Sequence, residues 1–456
     1  MYTERNWRNY QQGLLKNNKQ LSRKKSRLRY WLLIPIVVIF VCSMVGLGPV
    51  TGDYTDVSLP FMKIPDQTSD KSSEKKLQPT KPKKWTKDKV RQILSEKSLI
   101  NATNNELDIV YGEQTYRVKT SIDIELQRYL LKIMRRSYTK YLGIVVMEPK
   151  SGRILSMVGF DKTQSTDNPC IEKRFPAASV FKIVTAAAAI EVCGLAPDSQ
   201  LAFNGRKYTL YKRQLTNKTN RYTTRISFKN SFAQSINPVF GKLGSLYLGK
   251  SALETYAQSF GFNQHFRFEL PVNESTIRVT EEKFHQAEIA CGFNRETLIT
   301  PLHGALLVSS ILNDGQIPEP TIVDEIVDNQ GKAWYQSHQS VVNQAISSKT
   351  CKPLKKLMYE TVQSGTARKS FRGFRRDQIL SKLYIGGKTG SISNRKHDVR
   401  YDWFVGFAEQ KNGKDQIVIS TIVAHDKYIG KRACGYARST IKEYFKLAHS
   451  DDLARH

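Results

Sequence analysis

Phe175-Pro-Ala-Ala-Ser-Val-Phe-Lys-Ile-Val-Thr-Ala-Ala-Ala-Ala-Ile-Glu191 is the stretch on which the reading of this chain turns. Pro176 and Ser179 read as the entry to a helix, because proline suits a first turn and serine caps it. The residues that follow are apolar on nearly every side, so this helix belongs inside a domain. Ser179 and Lys182 are three apart and share one helical face. A serine hydroxyl is a weak nucleophile and needs a base beside it. Lysine serves as that base only when burial or a neighbouring cation lowers its pKa. Lys182 is the only charged residue between Arg174 and Glu191, which is a setting that does so. Unpaired backbone N–H groups at the helix start also favour Ser179 as a site of developing negative charge. The bland reading is a capping serine and a lysine that snorkels out of the core. The pattern alone does not choose between them, since Ser-x-x-Lys recurs at Ser22, Ser72, Ser73, Ser137, Ser393 and Ser439.

Two further segments lie downstream. In Asn230-Ser-Phe-Ala-Gln-Ser-Ile-Asn-Pro-Val-Phe-Gly241, the hydroxyl of Ser235 and the amide of Asn237 stand two apart before Pro238. At a helix junction such a pair can point into a cleft. Its bland reading is a helix end punctuated by Asn and Pro. Gly386-Gly-Lys-Thr-Gly-Ser391 contains the one Lys-Thr-Gly of the chain. Glycines strip side chains from a strand and let another backbone approach closely. An extended peptide then adds to the sheet edge, and Lys388 and Thr389 offer it a cation and a hydroxyl for a carboxylate. A phosphate-binding loop does not fit, because its required glycine and following helix pattern are missing.

Each motif is weak, but the ordered set is specific. Ser-x-x-Lys, Ser-x-Asn about 55 residues on, and Lys-Thr-Gly about 150 further make the signature of penicillin-recognising serine enzymes. Over roughly residues 120 to 450 the chain resembles the transpeptidase domain of penicillin-binding proteins, in a monofunctional, class B-like form. Thr120-Ser-Ile-Asp-Ile-Glu-Leu-Gln, the hairpin Val145-Val-Met-Glu-Pro-Lys-Ser-Gly-Arg-Ile-Leu-Ser-Met-Val158 and Ser364-Gly-Thr-Ala367 add to the resemblance. Ala290-Cys-Gly292 departs from the Gly-Gln-Gly frequent in the family, and is expected to lie away from the chemistry.

The resemblance implies a mechanism. Ser179 attacks the penultimate D-Ala carbonyl of a peptidoglycan stem peptide, and Lys182 takes its proton. Ser235 passes a proton to the leaving D-Ala, with Lys182 or Lys388 setting its pKa. Asn237 holds the donor peptide. Lys388, Thr389, Gly390 and Ser391 form the substrate-binding edge, the first two meeting the terminal carboxylate. The N–H groups of Ser179 and Ser391 make an oxyanion hole, at about 3 kcal/mol per donor. An amine from a second stem resolves the acyl-enzyme into a crosslink, and β-lactams acylate the same serine. No metal or organic cofactor is implied. A β-lactamase, a β-lactam sensor or a D,D-carboxypeptidase shares these motifs, and a non-catalytic wall-synthesis scaffold is the reading from another class.

Outside the motifs, residues 143–148 and 154–159 read as two strands around the turn Pro149-Lys-Ser-Gly152. Helices dominate the middle, at 251–260, 281–291, 301–313 and 348–362. Strands return at 383–390, 402–408 and 416–424, and a last helix covers about 438–447. This predicts an α+β (α/β) fold of the serine β-lactamase/transpeptidase type, with a central antiparallel sheet built from both chain ends and an all-helical subdomain.

The N-terminus carries a different signal. Residues 1–29 hold nine Lys and Arg side chains against Glu4 alone, a basic cytoplasmic tail. Residues 30–50 carry no charge and are long enough to span a bilayer, with Tyr30 and Trp31 at an interfacial position. A retained anchor fits better than a buried soluble helix or a cleaved signal peptide, because Lys and Arg concentrate on the cytoplasmic side. Val41 is too bulky for Cys42 to read as a lipidated cysteine. Residues 51–84 read as a flexible linker, 85–135 as a small pedestal-like segment and 136–450 as the catalytic domain. The expected location is the inner (cytoplasmic) membrane, single-pass, with the catalytic domain outside. The chain is 456 residues long, 40% hydrophobic and 25% charged, with net charge +30. A charge that large points to polyanions. Export excludes nucleic acid and leaves anionic lipid or wall polymer, with a glycosyltransferase or other wall-synthesis proteins as further partners. Five cysteines follow the anchor, an odd number whose pairing stays open. No Cys-x-x-Cys occurs and the histidines are scattered, which disfavours zinc.

Overall fold

Runs of β-branched and aromatic residues at the two ends of the domain meet in one five-stranded antiparallel sheet. Its strands are β1 (Thr139–Met147), β2 (Ile154–Asp161), β3 (Leu383–Ser393), β4 (Arg400–Gln410) and β5 (Gln416–His425), in the order β3-β4-β5-β1-β2. The computed structural model describes residues 84–164 and 166–454. The expected tail, anchor and linker up to residue 83 lie outside them. No helix among the described residues is long and apolar enough to cross a membrane.

Alternation along the strands decides which core each side chain joins. Val145 and Met147 enter the larger core under the helical region, while Leu142, Ile144 and Val146 enter a second core on the opposite face. The second core is closed by α1 (Ile124–Ile133) and the C-terminal helix α7 (Ala433–Ala454). The Asp123 carboxylate caps α1 by accepting from the Leu126 amide at 3.0 Å, which satisfies a donor the helix cannot pair itself. On the first face lie α2 (Lys182–Cys193), α3 (Asn237–Lys242), α4 (Lys283–Cys291), α5 (Pro301–Leu312) and α6 (Ser348–Gln363). Every residue of α5 is buried. Each fully buried Leu or Ile there contributes roughly 1.5–3 kcal/mol. Both faces of the sheet are therefore covered.

The N-terminal segment adds a second sheet. Glu106–Tyr111 and Gln114–Thr120 pair across the Gly112 turn, and Gln114–Thr120 pairs in turn with Val323–Asp328 and, through it, Ala333–Gln336. These strands are additional to those expected from the sequence. Their alternation, Tyr116-Arg-Val-Lys-Thr120, was the available signal. The C-terminal helix runs farther than expected at both ends. Its start depends on Asp402, whose carboxylate accepts from the Ala433 amide at 2.9 Å. That cap comes from another strand and leaves no local trace.

Candidate active site

Ser179 lies in a tight 3-10 turn, Ala178–Phe181, that leads directly into α2. A helix does follow, with the nucleophile one turn before it, but Pro176 lies in a short strand paired with Leu298 and no side chain caps either the turn or α2, so Ser179 is not the expected cap. Ala178 adopts φ +48°, a left-handed conformation costly for a residue with a side chain. The turn is held from outside. Trp403 Nε1 donates to Pro176 O at 2.9 Å, and the Ala177 amide to Thr297 O at 2.9 Å. Lys182 is fully buried, and its Nζ lies 2.9 Å from Ser179 Oγ, 2.9 Å from Asn237 Oδ1 and 2.5 Å from Cys291 O. Burial lowers its pKa to about 8. A neutral Lys182 has two N–H donors for Cys291 O and Asn237 Oδ1. Its lone pair is then free to accept the Ser179 hydroxyl proton, which is the geometry a general base requires.

Ser235 sits at φ +55° between two helices, Phe228–Ala233 and α3. Asn237 opens α3 ahead of Pro238, so the punctuation is real and the pair also faces the cleft. Lys388 comes from β3, at the free edge of the sheet. It is fully buried, and its Nζ donates to Ser235 Oγ at 2.9 Å and to Thr389 O at 2.9 Å. Burial, and then the nearby Lys182, hold its pKa well below the usual lysine value. Two lysines thus stand behind two serines, each depressed by its surroundings.

A cleft of about 800 Å³ exposes Ser179, Ser235, Asn237, Thr389, Gly390 and Ser391 together. All three motifs meet there. Thr389 Oγ1 is 2.5 Å from Thr366 Oγ1 of the Ser364-Gly-Thr-Ala367 turn, and Arg400 Nε donates to Ser391 Oγ at 2.9 Å. Among the described residues no group of His, Cys, Asp or Glu is placed to hold a metal. The five described cysteines, Cys170, Cys193, Cys291, Cys351 and Cys434, are free and buried.

Three expectations are corrected by this geometry. First, Lys388 does not present its ammonium to the open cleft. Strand alternation turns it inward onto Ser235, and Thr389 is left with the cleft face. Second, the backbone that comes close at Gly386 belongs to the fold itself, the α6 Tyr359 amide 3.0 Å from an added Cβ, and the Phe407 and Phe404 rings of the neighbouring strand fill the rest of the space above Gly386 and Gly387. Gly390 is the position of close approach to the nucleophile turn, where an added Cβ would stand 3.3 Å from Ala177 O and from Ala178 Cβ. Third, Ala290-Cys-Gly292 is not remote. Cys291 O accepts from Lys182, Ala290 O accepts from Thr185 Oγ1 at 2.8 Å, and Gly292 packs on the backbone of Ala178 and Ser179. A backbone carbonyl can do this from any side chain, which is why sequence motifs pass over it.

The family model described as penicillin binding protein transpeptidase domain matches residues 142–443. The chain belongs to the penicillin-binding protein transpeptidase family. Peptidoglycan D,D-transpeptidase PbpA of Mycolicibacterium smegmatis is 24% identical over 310 residues, 61% of this chain and 61% of that protein. Penicillin-binding protein 1A of Neisseria lactamica is 25% identical over 303 residues, 64% of this chain and 33% of that protein. The chain thus spans less than two thirds of the length of these relatives. A D,D-transpeptidase domain of a peptidoglycan glycosyltransferase from Eggerthella lenta has the same fold, with TM-score 0.60 at 22% identity over 73% of this chain and 83% of that one. So does penicillin-binding protein A from Mycobacterium tuberculosis in its imipenem acyl-enzyme complex, with TM-score 0.57 at 21% identity over 71% and 78%. The α+β architecture with its antiparallel sheet is therefore that of the penicillin-binding transpeptidases.

Proposed function

We propose that this chain is a membrane-anchored peptidoglycan D,D-transpeptidase that works through a Ser179 acyl-enzyme. The observation that carries the reading is the pairing of Lys182 Nζ with Ser179 Oγ and of Lys388 Nζ with Ser235 Oγ, each at 2.9 Å, in one cleft. Ser179 Oγ bonds to the penultimate D-Ala carbonyl carbon as its proton passes to Lys182. The C–N bond to the terminal D-Ala then breaks, and Ser235 relays a proton to the departing amine. The free edge of β3 takes the donor peptide as an added strand, with Thr389 and Ser391 toward its carboxylate. An acceptor amine then displaces Ser179 and forms the crosslink. β-Lactams acylate the same serine, a reading supported by the imipenem and ceftriaxone acyl-enzyme complexes of penicillin-binding protein A from Mycobacterium tuberculosis.

The uncharged 30–50 segment with its basic flank supports a single-pass inner-membrane location, N-terminus in the cytoplasm and the cleft outside. Fluorescent penicillin tests the reading. The wild-type chain should take a stable covalent label that Ser179→Ala lacks. Absence of label in the wild type sinks the proposal, and rapid hydrolysis of the β-lactam converts it to a β-lactamase.

A further inference from the structure

The sequence contains no Asp or Glu between Asp198 and Glu254. The first half of this acid-free stretch forms an arm. The short strands Gln200–Phe203 and Thr224–Ser227 pair at its base and hold out the loop between them. Cations along that loop, Arg206, Arg213, Lys218 and Arg221 among them, are exposed, and none pairs with a carboxylate among the described residues. An unneutralised cluster of this kind repels itself, so it destabilises the fold slightly unless an anion meets it.

The loop is nevertheless built. Gln214 is buried and acts as its post, accepting from the Tyr211 amide at 3.0 Å and donating to Asn204 O at 2.9 Å. Around that post the loop encloses a pocket of about 610 Å³. Arg206, Arg213 and Lys218 rim it, Asn and Thr side chains supply neutral donors and acceptors, and no acidic residue lines it. Tyr211 borders the pocket at 51% exposure. Cations, neutral polar groups and an exposed aromatic ring together suit a sugar unit that carries an acid group. The arm is also tied to the catalytic cleft. The Asn237 amide donates to Lys207 O at 2.7 Å, Asn237 Nδ2 donates to Tyr208 O at 3.1 Å, and Tyr208 lines the cleft mouth at 61% exposure.

We propose that the arm around Gln214 binds an anionic glycan strand bearing carboxylates, and aligns it so that a pendant peptide reaches the cleft. This rests on the transpeptidase reading for the cleft, and names the part of the substrate that lies beyond it. The arm holds the strand and takes no part in bond making.

The test uses the full chain and soluble, uncrosslinked glycan-peptide strands, with binding read as fluorescence anisotropy. Strands with free carboxylates should bind, and binding should weaken as salt is raised. The same strands with carboxyls converted to amides should bind the wild-type chain at least tenfold more weakly, and a variant without the arm's cations should lose much less on the same change. The triple variant Arg206→Gln, Arg213→Gln, Lys218→Gln should lose affinity on the order of tenfold, since exposed charge contacts are individually small. The corresponding variant with Arg206→Lys and Arg213→Lys should keep most of it. Fluorescent penicillin labelling of Ser179 and the melting temperature are followed in every variant, so a folding defect is recognised. Equal binding of amidated strands overturns the proposal, as does an unchanged triple variant. Preference for phosphatidylglycerol vesicles over the strands overturns it in favour of a membrane surface. Labelling with no strand binding defeats the arm alone, and strand binding with no labelling defeats the reading of the cleft.

Discussion

At the residue scale the decisive side chain is Lys182. Its pKa is lowered to about 8 because burial penalises the ammonium. The neutral form that accepts the Ser179 proton therefore gains population as pH rises through about 8. Acylation by benzylpenicillin is expected to increase with pH and level off above that value, with an inflection near 8, measured by stopped-flow or label incorporation. A flat profile from pH 6 to 10 would remove Lys182 as base. The stability sign runs the same way. The unfolded chain holds this proton up to about 10.4, the folded chain only to about 8, so stability rises with pH between the two. Lys182→Ala should slow acylation by about 10²–10⁴-fold, the range for a positioned base. The sequence made Lys182 legible because it is alone among apolar residues. It did not show that Cys291 O would be a partner, because a carbonyl has no residue-type signature. Nor did it show the direction of Lys388, which depends on strand phase.

At the element scale the site is an edge strand, a 3-10 turn and two helix ends pressed together. Gly292, which ends α4, shows how close that contact is. It has φ +68°, and an added Cβ would overlap Ala178 O and stand 2.9 Å from Ser179 N. Gly413 has φ +75° but nothing within 4 Å of such a Cβ. Both alanine variants bear the left-handed penalty of about 1–2 kcal/mol. Only Gly292→Ala must also displace the nucleophile turn. We expect Gly413→Ala to lose a few degrees of melting temperature with penicillin acylation unchanged, and Gly292→Ala to lose acylation at least tenfold as well. Equal acylation rates in the two would show that the α4 end does not position Ser179. Most elements of the catalytic domain were legible, because β-branched content separates a strand such as β5 from a helix such as α5, although both are buried along nearly their whole length. The misses share a cause. The start of α7 is set by Asp402 from another strand, and Arg432 also donates to that carboxylate at 2.8 and 2.6 Å. The strands at 106–120 show alternation, but their partner lies about two hundred residues away. Long-range pairing leaves no local mark.

At the scale of the whole molecule, the N-terminal segment and the catalytic body are one folding unit. The described residues from 84 onward fall in one compact unit, and the pairing of Gln114–Thr120 with Val323–Asp328 joins the two in one sheet. Trp85 stacks among Tyr116 and Trp334 with ring centroids 4.8 and 5.6 Å away, and its amide donates to Trp334 O at 2.7 Å. Beneath them Glu269 is fully buried. Its carboxylate accepts from Tyr335 Oη and Thr321 Oγ1 at 2.7 Å each and from the Ile322 amide at 3.2 Å, with Lys87 Nζ 3.7 Å away. Among the described residues Lys87 is the one cation this carboxylate meets, and it comes from the N-terminal segment. A buried carboxylate stripped of its cation is costly, about 3–5 kcal/mol when a fully buried pair is broken. Removing residues up to 135 would take away Lys87, the Gln114–Thr120 strand and the Trp85 ring together, and α1 with them. Such losses add to a large part of the 5–15 kcal/mol that holds a domain folded. A fragment starting at Lys84 should therefore melt in a single transition and take the penicillin label, whereas one starting at Arg136 should be insoluble or melt at least 10 °C lower. Calorimetry and labelling of the two fragments decide it. A shorter fragment that labels fully and melts within about 3 °C of the longer one would make the N-terminal segment an appendage rather than part of the core.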